Sequence, residues 1–388
     1  MTLATSVGVI GAGVGGLTLA LICRHLGIGD VRIYREAAPE TDNDHVLELS
    51  SNATRVLHAA GLKDGLREAA IEPQFSFTRT AHGGILLTQR PLGAFSVARY
   101  GAPTYLITRR KLLNLLESAC RARDVCFAAD TVTEITPESG ELRFADDTRV
   151  VHGAVVGCDG IHSQVRDVLS SSGNWTSDPS VCVISARTTA APTGQAINIW
   201  SGPDRYCVQY PVSDSRTDLL LVFRPGAMSL SSPEAAIQAA LHNWHPRLQE
   251  CMEKVTAACN HTVIDSEPLE YWYAGKVALL GDACHPLPIY STQGACAAIE
   301  DAWVLGTMME RWEESPAEGF SDYQRYRLPR AKKLRRAASI AAAELLKAGR
   351  SDIWRRNIKW ALTNRFLPEM SMQALDWLYG YDCIKGFD

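Results

Sequence analysis

Four short apolar runs set the frame of this 388-residue chain. Val7-Gly8-Val9-Ile10, Val31-Arg32-Ile33-Tyr34, Val155-Val156-Gly157 and Val277-Ala278-Leu279-Leu280 carry a single charge between them, at Arg32. Parallel strands covered on both faces read this way. The first run leads into Gly11-Ala12-Gly13-Val14-Gly15-Gly16 and then into Leu17-Thr18-Leu19-Ala20-Leu21-Ile22, an apolar helical stretch. Strand, glycine turn and helix in that order predict an α/β, Rossmann-like domain. The pattern changes mid-chain. Runs at 181–184, 196–200, 206–210 and 219–223 are strand-like, punctuated by Ser201-Gly202-Pro203-Asp204 and Pro225-Gly226. They predict an inserted β-sheet. Beyond Arg311 the chain reads as a helical C-terminal region.

This organisation is discontinuous. The α/β domain is expected to use residues 1–71, 99–175 and 274–310, the β-sheet domain 72–98 and 176–273, and the helical region 311–388. The sheet would roof one end of a ligand held by the first domain, since pockets favour such junctions.

Three motifs carry chemistry. Gly11, Gly13 and Gly16 match G-x-G-x-x-G between a strand and a helix. Gly11 permits the turn, Gly13 admits a pyrophosphate and Gly16 allows close helix packing. An acid that holds a ribose is expected at the end of the second strand, where the chain reads Arg35-Glu36. Either a bulge lets Glu36 reach the ribose or the contact is missing, because a one-residue slip turns a side chain to the other face. The second motif is Gly157-Cys158-Asp159-Gly160. Asp159 there either serves the ligand or caps the next helix. The third is Gly281-Asp282-Ala283-Cys284-His285-Pro286, continued by Gln293-Gly294-Ala295. An Asp at the tip of a buried strand is costly unless a partner such as a hydroxyl-rich ligand accepts it. Backbone amides near Gly294 and Ala295 would open a helix towards a polar or anionic ring edge.

Composition narrows the class. A net charge of −4 argues against nucleic acid as the main partner. The 11 cysteines form no C-x-x-C pair. That favours reduced, mostly buried thiols and gives no metal signature. No signal peptide and no apolar run of bilayer length is visible, so the expectation is a cytoplasmic protein without an integral membrane segment. The basic run from Arg325 to Arg336 reads as a solvated helix face, with a nucleotide or membrane surface as the alternative. In the basic stretch 353–360, Trp354 and Ile358 are expected to pack onto the body.

With these motifs in this order, the chain resembles the single-component FAD-dependent aromatic hydroxylases, and within them the salicylate and 6-hydroxynicotinate hydroxylase branch. Pro91-Leu92-Gly93-Ala94-Phe95 and Trp377-Leu378-Tyr379-Gly380-Tyr381-Asp382 add to the likeness. The resemblance implies FAD as cofactor, NADH or NADPH as co-substrate, O₂, and a small aromatic or heteroaromatic substrate. It implies that Gly11, Gly13, Val14 and Gly16 bind the pyrophosphate and that Arg109 lies near the phosphates. Arg35, Glu36, Val132, Asp159 and Gly160 are placed with the cofactor, Asp282 on the ribitol, and Gln293, Gly294 and Ala295 at the flavin pyrimidine edge. A monomer or homodimer is expected. The implied reaction reduces FAD, forms a flavin C4a-hydroperoxide and transfers its distal oxygen to an activated ring.

The chain also departs from its relatives. Their glycine-containing segment beside the flavin ring reads Asp44-His45-Val46-Leu47-Glu48 here, and Ile289 and Thr292 replace a proline and a small residue. Glu48 is the sharpest catalytic candidate. Buried, it would have a raised pKa and act as general base on a phenol or hydroxypyridine; otherwise it pairs with a surface arginine. His285, Pro286 and Tyr210 join it as catalytic candidates, and Trp200, Tyr206, Gln209 and Tyr290 as the substrate wall. Two alternatives stand beside hydroxylation. One is epoxidation, Baeyer–Villiger or decarboxylative oxidation on the same fold. The other is a non-redox enzyme or ligand-binding scaffold with an altered flavin site.

Overall fold

The structure, a computed structural model, describes residues 6–35, 44–170, 175–225 and 232–385. Two large sheets dominate it. The first has six strands in the order Tyr273–Ala274, Val277–Leu279, Ala154–Gly157, Val7–Ile10, Val31–Tyr34 and Cys126–Ala128. All are parallel except the first pair. Val7 and Val9 on the central strand are fully buried, which is why this run tolerates no charge. Helices Val14–His25 and Gly294–Arg311 pack side by side next to this sheet. A three-stranded sheet of Val132–Thr136, Glu141–Phe144 and Arg149–Val151 joins the same core.

The second sheet has seven strands, in the order Val255–His261, Cys182–Thr188, Arg216–Phe223, Arg205–Ser213, Ala196–Ser201, Phe75–Thr80 and Leu86–Pro91. Its side chains alternate between two buried faces, as the pleat requires. Trp200, Cys207, Leu221 and Phe223 pack beneath helices Pro233–Leu241 and Pro246–Glu253. Tyr206, Val208, Tyr210, Leu220 and Val222 face the other way, towards Leu106 and Ile289. Between the two sheets runs a short ribbon in which Val46–Leu49 pairs antiparallel with Tyr105–Thr108, Glu48 opposite Leu106.

Helices Pro316–Leu345, Arg350–Phe366 and Pro368–Tyr379 complete the chain. The basic run does not form a solvated face throughout. Arg327 and Arg330 turn inward and are buried. Trp354 and Ile358 do not pack onto the body either; Trp354 is 65% exposed, because the inner side of its helix is occupied by Arg356. Among the described residues no helix is long and apolar enough to cross a membrane.

Candidate functional site

A cavity of about 860 Å³ lies where the first sheet, the ribbon and the second sheet meet. One end is a cradle of backbone. Gly11 has φ +107°, and a Cβ there would stand 2.5 Å from the Cys158 carbonyl oxygen. A Cβ on Gly16 would stand 2.1 Å from the Gly11 oxygen. Both glycines are therefore fixed by the turn itself. Gly13 differs: a Cβ there would meet nothing nearer than 3.9 Å, because its free side opens on the cavity together with Val14 and Gly15. The helix that starts here has no side-chain cap, so its first amides point unpaired into the cavity. The helix Gly294–Arg311 also starts without a side-chain cap, with Gly294 and Ala295 on the same wall. Two uncapped helix N-termini thus converge on one space, and their partial positive charge favours an anion there.

Side chains complete this end. Arg109 and Asp282 line it, with Gly160 opposite. Burial pushes the Asp282 carboxyl above its ordinary range. Thr292, one residue before the Gln293 N-cap of the second helix, is left-handed at φ 56°. A β-branched residue rarely adopts that conformation.

The other end is a carboxylate in an apolar wall. Glu48, Tyr210, Leu220, Pro286 and Ile289 surround it. Glu48 is 9% exposed, and burial raises its pKa, with Arg90 pulling the other way. The Arg90 guanidinium stands 3.7 Å from it, too far for a hydrogen bond. Burial also pushes the Tyr210 phenol far above its usual range, and the Glu48 carboxylate adds to the shift.

The cavity brings together Gly13, Val14, Arg109, Gly160, Asp282, Gly294, Ala295, Glu48, Tyr210 and Pro286. Other expected site residues lie elsewhere. Trp200 and Gln209 sit on the far face of the second sheet, where Trp200 Nε1 donates to Gln209 Oε1 at 3.3 Å and Gln209 donates to Cys251. A side chain on that face is separated from the cavity by the sheet itself. Tyr206 and Tyr290 pack in the sheet's inner core beside the wall, not on it. His285 is 1% exposed and engaged with Asp301 at 2.5 Å, behind the cavity. It is held in the core and does not line the cavity. Gln293 turns to Ser50 and Asn52. Val132 is buried in the first core, and Arg35 faces outward to Glu117. Glu36 lies outside the described residues. Asp159 accepts from Ser163 Oγ at 2.5 Å and from the Val165 amide at 3.2 Å, which is the capping alternative.

Arg90 and Tyr379 went unread in the sequence. Arg90 reaches Glu48 from a strand and Tyr379 holds Arg90 from the last helix, and only the alternation of Thr88-Gln89-Arg90 and the shared Trp377–Asp382 segment hinted at them.

Residues 4–338 match the family described as FAD binding domain. The chain is 31% identical to a 3-amino-4-hydroxybenzoate 2-monooxygenase of Streptomyces platensis, covering 97% of this chain and 96% of the relative. This chain belongs to the FAD-dependent aromatic monooxygenases. A 6-hydroxynicotinate 3-monooxygenase of Bordetella bronchiseptica is 27% identical over 97% of this chain and 95% of the relative. Klebsiella pneumoniae HpxO, solved with FAD and uric acid, shares the fold at a TM-score of 0.82 and 22% identity, covering 95% of this chain and 97% of that one.

The family's cofactor fits what the cavity offers. The open side of Gly13 leaves room against the backbone, and the two uncapped helix starts would favour an anion there. The Arg109 amide donates to the His45 carbonyl at 2.9 Å, but its guanidinium makes no hydrogen bond or ion pair among the described residues, so its charge is available to a phosphate. Asp282 faces the same space with a carboxyl that a ribitol hydroxyl would satisfy.

Proposed function

We propose that this monooxygenase inserts one atom of O₂ into a small aromatic or heteroaromatic ring bearing a hydroxyl, with NADH or NADPH as reductant. The observation that carries the reading is a buried carboxylate, Glu48, opening on the same cavity as the glycine turn, Asp282 and the Gly294 helix start. Bound there, FAD would supply reduction by the nicotinamide and the activation of O₂. The protein's own part is binding, orientation and proton handling. Gly13, Val14 and Arg109 would hold the pyrophosphate, Asp282 the ribitol, and the Gly294 and Ala295 amides the negative edge of the reduced ring. Glu48 would take the proton of the substrate hydroxyl and so push electron density into the ring that is to be oxygenated. Tyr210 would orient that hydroxyl, its own proton being held firmly. Relatives named for 3-amino-4-hydroxybenzoate, 6-hydroxynicotinate and 3-hydroxybenzoate all act on rings that carry such a hydroxyl.

The test is reconstitution. Purified protein is titrated with FAD, reduced anaerobically with NADH or NADPH, and exposed to isotopically labelled O₂ with each of those three acids. A product carrying one labelled oxygen is expected for at least one ring of this class. Failure to take up FAD would overturn the reading.

A further inference from the structure

The last helix of the chain ends beside Arg90, the cation that faces Glu48. Its final carbonyls are pinned by arginines from two other elements. Arg330 donates to Trp377 O and Leu378 O at 2.8 and 3.0 Å, and Arg55 donates to Tyr379 O and Tyr381 O at 3.2 and 3.0 Å. The helix C-terminus is thereby satisfied and fixed in place. Fixed with it is the Tyr379 side chain, whose hydroxyl accepts from Arg90 Nη1 at 2.6 Å while its ring stacks under the guanidinium at 5.2 Å.

Arg90 is thus held by Tyr379 and not by Glu48. Its second amino group lies 3.7 Å from the carboxylate, and its Nε has no partner among the described residues. An arginine beside a buried carboxylate ordinarily closes to a two-pronged hydrogen bond at under 3 Å. Here the guanidinium stops short. We propose that Tyr379 is a positioning residue that holds Arg90 at a stand-off from Glu48, so that the carboxylate keeps its lone pairs for a substrate proton. The inference rests on the general-base reading of Glu48 given above.

The groups that face Glu48 are few. Arg90 comes from the strand Leu86–Pro91, Tyr379 from the helix Pro368–Tyr379, Tyr210 from the second sheet and Cys296 from the helix Gly294–Arg311, with Tyr100 beyond Arg90. Burial raises the pKa of Tyr210, Tyr379 and Cys296, and each stays protonated while Glu48 titrates. Arg90 is then the one charge among these neighbours whose distance sets the carboxylate's protonation.

Two substitutions should therefore move Glu48 in opposite directions. Tyr379→Phe keeps the stacked ring and removes only the hydroxyl, so Arg90 closes on Glu48 and the carboxyl becomes a stronger acid. Arg90→Gln removes the cation, so burial acts unopposed and the carboxyl becomes a weaker acid. The readout is the infrared carbonyl band of protonated Glu48, assigned by its loss in Glu48→Gln and titrated with pH on the purified protein. A drop in midpoint of roughly one pH unit in Tyr379→Phe and a rise in Arg90→Gln are expected. Tyr379→Phe alone decides the matter if Arg90→Gln does not fold. An unchanged or higher midpoint in Tyr379→Phe overturns the proposal. The general-base reading fails separately: Glu48→Gln would then keep the wild-type pH profile of kcat/KM, whatever the infrared band does.

Discussion

Behind the cavity, Glu300 and Asp301 meet Arg327, Arg330 and His285 at ion-pair distances of 2.5 to 3.0 Å. Glu48, on the cavity wall, faces one cation among the described residues, at 3.7 Å. Both clusters are buried and both touch the helix Gly294–Arg311, where Cys296 donates to the Glu48 carbonyl and Glu300 and Asp301 follow a turn later. Their electrostatics run in opposite senses. Burial would raise Glu300 and Asp301, yet the arginines and His285 outweigh it and hold both below the ordinary range. Burial also raises Glu48, and there the single arginine does not outweigh it. A carboxylate saturated with partners is committed to structure. One left short of partners beside a cavity is available for chemistry.

The comparison breaks most visibly at Arg327. Arg327→Met breaks a buried pair with each acid, leaving Glu300 to Arg330 and Asp301 to His285, and should cost about 3–5 kcal/mol of stability, read by chemical denaturation. The same cluster fixes the sign of the acid response. Folding lowers the Glu300 and Asp301 pKa values, so their stabilisation is present above the unfolded carboxylate range and is lost as pH falls through the lower folded values. His285 is raised by Asp301 against the opposing pull of burial, so its share is full below the ordinary histidine range and fades as pH rises through its folded value.

On the cavity side the expected losses are of binding, not of folding. Asp282→Ala should weaken FAD roughly 10- to 100-fold, as fits one hydrogen bond to a charged group worth about 1.5–3 kcal/mol, with the unfolding midpoint of the FAD-free protein little changed. Flavin fluorescence titration measures the first and denaturation the second. The smallest effect is at Thr292, which holds left-handed backbone at the cavity edge. Thr292→Gly relieves that strain and should stabilise the protein by about 1 kcal/mol.

Legibility followed the range of the interaction. The glycine turn could be read because its demands are largely local: Gly11 holds φ +107° and Gly16 would clash with the Gly11 carbonyl five residues before it. Asp282 and Gly294 were legible for the same reason, since strand end and helix start follow each other in the chain. Trp200 and Gln209 were misplaced by strand parity. Gln209 and Tyr210 are neighbours in sequence, yet the pleat sends one to each face. Arg327 and Arg330 looked like members of a solvated basic face; what buries them is an acidic pair on another helix. Arg90 and Tyr379 lie 289 positions apart, and no local pattern announces their contact.

The central claim is that Glu48 is the substrate's base, and kcat/KM against pH for the wild type and Glu48→Gln tests it most directly. The wild type should lose activity as pH falls through a midpoint above the usual carboxylate range, because the proton acceptor is then filled. Glu48→Gln should lose that acid limb and about 10²–10⁴-fold in kcat/KM while still binding FAD. A Glu48→Gln enzyme with the wild-type limb and wild-type rate would contradict the account and move the base elsewhere in the cavity.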